Sequence, residues 1–124
     1  MGFGGSMSEK KVVYIAGPYR SKDGIWYIKE NIRKAELAAL EVWNFGGVAL
    51  CPHKNTAFFD GAVGIPDETW LQGDLELLSR CDAVYAIEGW ERSAGARAEV
   101  ECAQELEMPV YFFVQQIHEY LKND

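Results

Sequence analysis

Hydrophobic positions along the chain follow two alternating patterns. Val12-Val13-Tyr14-Ile15-Ala16 is an unbroken β-rich apolar run stopped by Gly17-Pro18, as expected of a strand buried on both faces and followed by a loop. Ile25, Ile28, Ile32, Ala35, Ala39, Val42 and Trp43 then recur at helical spacing, which predicts an amphipathic helix from about Gly24 to Phe45, ended by Gly46-Gly47. Val48 to Cys51 reads as a second strand stopped by Pro52, and His53 to Pro66 as a long loop without a period. Trp70, Leu71, Leu75 and Leu78 mark the apolar face of a helix over Asp67 to Arg80. Asp82 to Ile87 is a third strand, Gly95 to Glu107 a third helix, Pro109 to Val114 a fourth strand, and Gln116 to Lys122 a short closing helix.

Strand and helix therefore alternate, and the strands are too apolar to leave one face wet. That order predicts an α/β fold: a doubly wound, Rossmann-like or flavodoxin-like parallel sheet of four or five strands, with helices on both faces, in a single domain. In such a sheet, ligands bind beyond the carboxyl ends of the strands, near the switch in strand order. Four segments should converge there: Gly17 to Arg20, Pro52 to Thr56, Glu88 to Gly95, and the residues after Val114. Asp82 begins a strand, lies at the opposite end, and reads as structural.

Composition narrows the class. The chain has 124 residues, 48% hydrophobic and 25% charged, enough to bury one core. Met1-Gly2-Phe3-Gly4-Gly5-Ser6 reads as an expression leader or flexible tail ahead of a domain spanning 7–124. No run is apolar and long enough to suggest a membrane span. The balance of 12 Lys+Arg against 19 Asp+Glu gives a net charge of −7, which opposes polymeric nucleic acid and acidic membranes but admits a single nucleotide held by local cations and helix ends. Cys51, Cys81 and Cys102 are odd in number and embedded in apolar segments, as packed, reduced thiols of a cytoplasmic protein would be. With only His53 and His118 beside them and no CxxC pair, a metal site has little support.

The candidate chemistry lies at Ser93-Ala94-Gly95-Ala96-Arg97-Ala98-Glu99. A small, polar, glycine-containing helix start presents free N–H groups to an anion, and Glu99, about one turn in, is placed where the helix dipole favours its ionised form. The competing reading is structural, with Ser93 a cap and Glu99 a solvated stabiliser. Asp74, four residues after Trp70, shares a helix face with it, so an aromatic plate and a carboxylate could meet a planar ligand. Here too a plain amphipathic helix, with Trp70 in the core and Asp74 at the solvent edge, is the alternative.

These segments, Tyr14 to Arg20, Asp74-Leu75, Cys81 to Val84, Gly89-Trp90-Glu91 and Ser93-x-Gly95-x-x-x-Glu99, resemble the nucleoside 2-deoxyribosyltransferase superfamily. The resemblance is closest to its phage and bacterial branch of unknown function, where Cys51-Pro52-His53-x-Asn55-Thr56 also fits. It implies Glu99 as the nucleophile at the anomeric carbon, Asp74 handling the proton of the departing base or orienting the sugar, and Tyr19 beside the sugar or nucleophile. It further implies that Arg20 and Ser93 hold a 5′-phosphate and that His53 and Asn55 border base or sugar, with Gly17, Trp90 and Gly95 completing the substrate-binding set. The implied activity is cleavage of the N-glycosidic bond of a (deoxy)nucleoside or its 5′-monophosphate, with hydrolysis ahead of base exchange. The implied partners are a small-molecule nucleoside or nucleotide and further copies of the chain in a homodimer or higher homo-oligomer. Such chemistry requires no metal or redox cofactor, because an ionised carboxylate stabilises the positive charge that develops on the ribose. A binding module without turnover and a flavin-carrying electron carrier are the readings from other functional classes.

Overall fold

The computed structural model of the chain describes residues 10–18, 25–52 and 67–122. Among these residues the elements in order are β1 (Val12–Ala16), α1 (Ile25–Asn44), β2 (Val48–Leu50), α2 (Asp67–Leu78), β3 (Ala83–Ala86), a single 3₁₀ turn (Trp90–Arg92), α3 (Ala94–Glu105), β4 (Val110–Tyr111) and α4 (Val114–Lys122). The sheet has four strands, all parallel, in the order β2-β1-β3-β4. The predicted α/β architecture is present, and β1 and β3 form its centre. No helix among the described residues is long and apolar enough to cross a membrane.

Alternation along β1 divides the core. Val13 and Ile15 face one side of the sheet, where Ala35, Ala38 and Val42 of α1 and Ile117 and Leu121 of α4 cover them. Tyr14 and Ala16 face the other, against Leu78 of α2, Val84 of β3 and Ala103 of α3. Asp82 lies at the amino end of β3, as expected, and ties the strands at their start. Its carboxylate accepts a hydrogen bond from the Val12 amide at 2.8 Å, and its own amide donates to the Val12 carbonyl at 2.8 Å.

Several element ends differ from the sequence expectation by one to three residues, most at the end of the fourth strand. β4 is two residues long, and Val114 begins α4 rather than ending a strand. The cause is Gln116, whose Oε1 accepts hydrogen bonds from the amides of Phe112 (2.8 Å) and Phe113 (3.1 Å). A side chain thus takes up the two amides that would otherwise extend the edge of the ladder. The loop beyond β4 is accordingly Phe112-Phe113, not the residues after Val114.

Strand order reverses between β1 and β3, so the crevice expected to receive a ligand lies between Gly17-Pro18 and the residues following Ala86. The two connections approach closely. Ile87 donates its amide to the Ala16 carbonyl at 2.8 Å, and a Cβ on Gly17 would stand only 2.5 Å from Cγ1 of Ile87. Gly17 is therefore required by contact. Gly17→Ala is expected to lower stability by about 1–3 kcal/mol through overpacking, measured by urea denaturation. In the Ile87→Ala background, which removes the clashing atoms, the same substitution is expected to have less than half that effect.

Candidate active site

Ser93 fixes where α3 begins. Its Oγ accepts the Ala96 amide at 3.1 Å, and its carbonyl accepts that of Arg97 at 2.9 Å, so the helix starts at Ala94, one residue before the expected position. The cap therefore exists as the structural reading held, and among the described residues it leaves the amides of Ala94 and Gly95 as the open donors of the first turn. Starting there, Ala96, Glu99, Val100 and Ala103 form the buried stripe of α3. Glu99 thus occupies a position whose neighbours on the stripe are apolar, and it is 6% exposed.

Its partner comes from the centre of the sheet. The phenol of Tyr14, fully buried on β1, donates to Glu99 Oε2 at 2.6 Å, across 85 residues of sequence. Asp74 lies on α2 one turn before Leu78, which packs under the same face of the sheet, and is half-buried there. Its charge reaches both Tyr14 and Glu99. Among the described residues, neither carboxylate forms an ion pair. One strand and one helix therefore hold a phenol and a carboxyl in contact, with the Asp74 carboxyl of a second helix in electrostatic reach.

Electrostatics follow from this placement. Burial pushes the Glu99 carboxyl up to about 8, opposed by the Tyr14 hydrogen bond and reinforced by the charge of Asp74. Burial alone pushes Asp74 up to about 6. Tyr14 is driven upward by burial first, then by the charges of Glu99 and Asp74, and so remains a donor. The sequence favours an ionised Glu99 from the helix dipole, but that effect fades within the first turn and amounts to about 0.3–1 kcal/mol. Glu99 is the sixth residue of α3, and burial outweighs the dipole there.

The remaining candidates are placed as follows. Gly17 stands at the β1–β3 crevice, and Pro18 lies against the loop after β3, where a Cβ on Gly89 would meet Pro18 Cγ at 3.2 Å. Gly89 turns that loop in the left-handed region at φ 95°. Trp90 packs on Phe112, just beyond β4, with ring centroids 5.4 Å apart. Gly95 lies in the first turn of α3 beside Ser93 Oγ. Arg97 turns away from Glu99 and donates to the Glu91 carbonyl at 2.7 Å, bracing the 3₁₀ turn. Tyr19, Arg20, His53 and Asn55 lie outside the described residues, as do residues 1–6. Tyr14 is the residue that sequence reasoning missed as a participant. Its signal was a hydroxyl in an otherwise apolar central strand.

Cys51 is buried, Cys81 and Cys102 are half-buried, and all three are thiols outside any disulfide. Burial, then the charge of Asp82, pushes Cys81 up to about 11, so it carries no reactive thiolate at neutral pH.

Comparison with known proteins bears on this arrangement. A family model described as a domain of unknown function, DUF7768, matches residues 11–113. No curated protein sequence matches the chain. Solved structures resemble it closely in shape. A 2-deoxyribosyltransferase from Bacillus psychrosaccharolyticus superposes with a TM-score of 0.58 at 20% identity, over 82% of this chain and 71% of that one. A conserved protein from Enterococcus faecalis V583 gives 0.66 at 20%, over 83% and 62%. A 2-desoxiribosyltransferase from Leishmania mexicana gives 0.58 at 18%, over 83% and 63%. The chain thus spans less than two thirds of the last two, and at these identities the likeness is one of fold. None of these matches places the chain in a phage or bacterial branch.

Two outcomes test the site's electrostatics. A carboxyl raised from 4.5 to about 8 on folding binds a proton that the unfolded chain has lost, so native stability falls as pH rises through that window. Glu99→Gln is expected to melt on the order of 10–20 °C higher than the parent chain at pH 9 and equally below pH 4.5, read by calorimetry across pH. Tyr14→Phe removes the one contact that lowers the Glu99 value. Carbon-detected NMR titration of that carboxyl should then move upward from about 8.

Proposed function

The chain belongs to the DUF7768 family, and we propose that it cleaves the N-glycosidic bond of a (deoxy)nucleoside or nucleoside 5′-monophosphate, with Glu99 as nucleophile and hydrolysis as the outcome. The observation that carries this reading is the buried Glu99 held by Tyr14, with Asp74 close enough to feel its charge. The fold shared with two 2-deoxyribosyltransferases supports it.

Between about pH 6 and pH 8 the two carboxyls hold a single proton, shared as a coupled pair. With that proton on Asp74, Glu99 is the anion. Tyr14 engages Oε2, which leaves Oε1 to attack C1′. The bond from C1′ to the base nitrogen breaks with its electron pair moving to the base, the Asp74 proton goes to that base, and an Oε1–C1′ ester forms. Water then attacks C1′ and gives its proton to Asp74, while Glu99 leaves as carboxylate.

Moving the proton from Glu99 to Asp74 opposes a gap of two pKa values, about 3 kcal/mol. The attraction between a carboxylate and the cationic ribose 4 Å away is about 4 kcal/mol at an effective dielectric of 20, so the developing charge offsets the transfer. The open amides of Ala94 and Gly95 and the Ser93 hydroxyl would receive the 5′-phosphate, with Arg20 as its cation. His53 and Asn55 would border base and sugar, and Tyr19, Gly17 and Trp90 would complete the pocket. Three cysteines kept as thiols suit a reducing, cytoplasmic setting.

The experiment is chromatographic. The protein is incubated with ribo- and deoxyribonucleosides and their monophosphates, and free base is followed with and without a second base. Base release is expected to form a bell in pH with limbs near 6 and 8. It should fall by about 10³-fold or more in Glu99→Ala and about 10²–10⁴-fold in Asp74→Asn. Binding of intact nucleotide without release would overturn the enzymatic reading.

A further inference from the structure

Arg92 and Arg97 both follow β3, and the structure uses them differently. Arg97 is committed to the 3₁₀ turn, where its Nη1 donates to the Glu91 carbonyl at 2.7 Å. Arg92 is the last residue of that turn and is exposed. Among the described residues its guanidinium has neither an ion pair nor a hydrogen bond, although Glu88 and Glu91 flank it in sequence. The side chain folds back along the turn: Nη2 lies 3.1 Å from the point where a Cβ on Gly89 would stand, and Pro18 Cγ lies 3.2 Å from the same point. Guanidinium and Pro18 therefore border one gap, which exists because residue 89 has no side chain. That gap belongs to the crevice between the β1 and β3 connections, at the switch in strand order.

We propose that Arg92 is the residue by which this site selects a nucleoside 5′-monophosphate over the uncharged nucleoside, its guanidinium pairing with the phosphate. The inference takes sugar and base from the reaction proposed above and rests on that reading; what it adds is the charge of the substrate. The surrounding charge makes a cation necessary. The chain carries −7 overall and the site holds two carboxyls, Glu99 and Asp74, so a phosphate monoester, close to doubly negative at neutral pH, is repelled unless a cation stands beside it. A neutral nucleoside has no use for such a cation.

The geometry suits that role. A guanidinium presents a planar fork that grips phosphate through two parallel N–H···O bonds, provided its donors are not already spent. Arg80 shows the spent case, with Nε and Nη2 both donating to Glu76 Oε2 at 3.1 and 2.8 Å. Arg92 keeps its donors, and its backbone is fixed. Its amide donates to the Gly89 carbonyl at 3.1 Å, and the Ser93 amide donates to the Trp90 carbonyl at 3.1 Å. Only side-chain torsions therefore need ordering when the ligand arrives. Arg92 directly precedes Ser93, the cap of the helix that carries Glu99. At a rise of 1.5 Å per residue, Ala94 and Glu99 are about 7.5 Å apart along the axis, the scale of a sugar–phosphate unit. Because the side chain is exposed, water and salt screen the pair and limit its effect to about 10–100-fold in affinity.

The test compares base release from a deoxyribonucleoside and from its 5′-monophosphate on one preparation, as the ratio of their kcat/KM values. The wild-type chain is expected to favour the monophosphate by about 100-fold or more. Arg92→Gln should lower that ratio about 10–100-fold, through KM for the monophosphate rather than kcat. Arg92→Lys, which keeps the charge but not the fork, should lower it about 3–10-fold. Partial unfolding of a variant cancels in the ratio. Titration calorimetry of the same two compounds in the Glu99→Gln background reads binding without turnover, and Arg92→Gln should weaken the monophosphate there by the same factor. Arg92-dependent binding of the monophosphate with no base release from the wild-type chain would support this assignment and sink the cleavage reading. Equal release from both compounds, or a ratio unchanged in Arg92→Gln, would overturn the assignment while leaving cleavage in place.

Discussion

The hydrogen bond from Tyr14 to Glu99 joins the central residue of β1 to the middle of α3, and the arrangement around it depends on both ends being buried. Burying a carboxyl is unfavourable unless its oxygens are satisfied or it keeps a proton. The phenol satisfies one oxygen, and the raised pKa reflects the second route. A leucine in place of Glu99 would suit the stripe of Ala96, Val100 and Ala103 better, so the acid holds a position that packing alone would not give it. Local rules of this kind are broken where function requires it.

Much of the fold was legible because apolar runs and helical periods are local signals. The interiors of α1, α2 and α3 fall where periodicity placed them, as does the strand centred on Tyr14. Strand order was not legible, since nothing in the sequence states that β2 lies outside β1 and β4 outside β3. The early end of β4 depends on one side chain, Gln116, that composition treats as ordinary.

The site was legible in part. Asp74 and Glu99 stood out as carboxyls on predicted helices, yet the decisive fact about Glu99 is its burial. That fact was available from the stripe, because residue 99 falls three after Ala96 and one before Val100. Reading it from the helix dipole instead left out the burial that raises this carboxyl's pKa. Tyr14 was hidden for another reason. In a strand buried on both faces, a tyrosine reads as core, and its partner is 85 residues away.

The two faces of the sheet divide the work. The α1 and α4 side is packed by large residues, among them Ile15, Val42, Ile117 and Leu121, with no buried acid among the described residues. The α2 and α3 side uses Ala16 and Ala103 around Tyr14, and those small residues leave room for carboxyls on the helices above them. Apolar burial contributes about 25 cal/mol per Å², so the fuller face can stabilise the domain while the other tolerates buried polar groups. Polar burial on both faces would leave neither able to offset it. The Tyr14–Glu99 pair is possible on this strand because Val13 and Ile15, the residues flanking Tyr14, are anchored in the opposite layer among Ala35, Val42, Ile117 and Leu121.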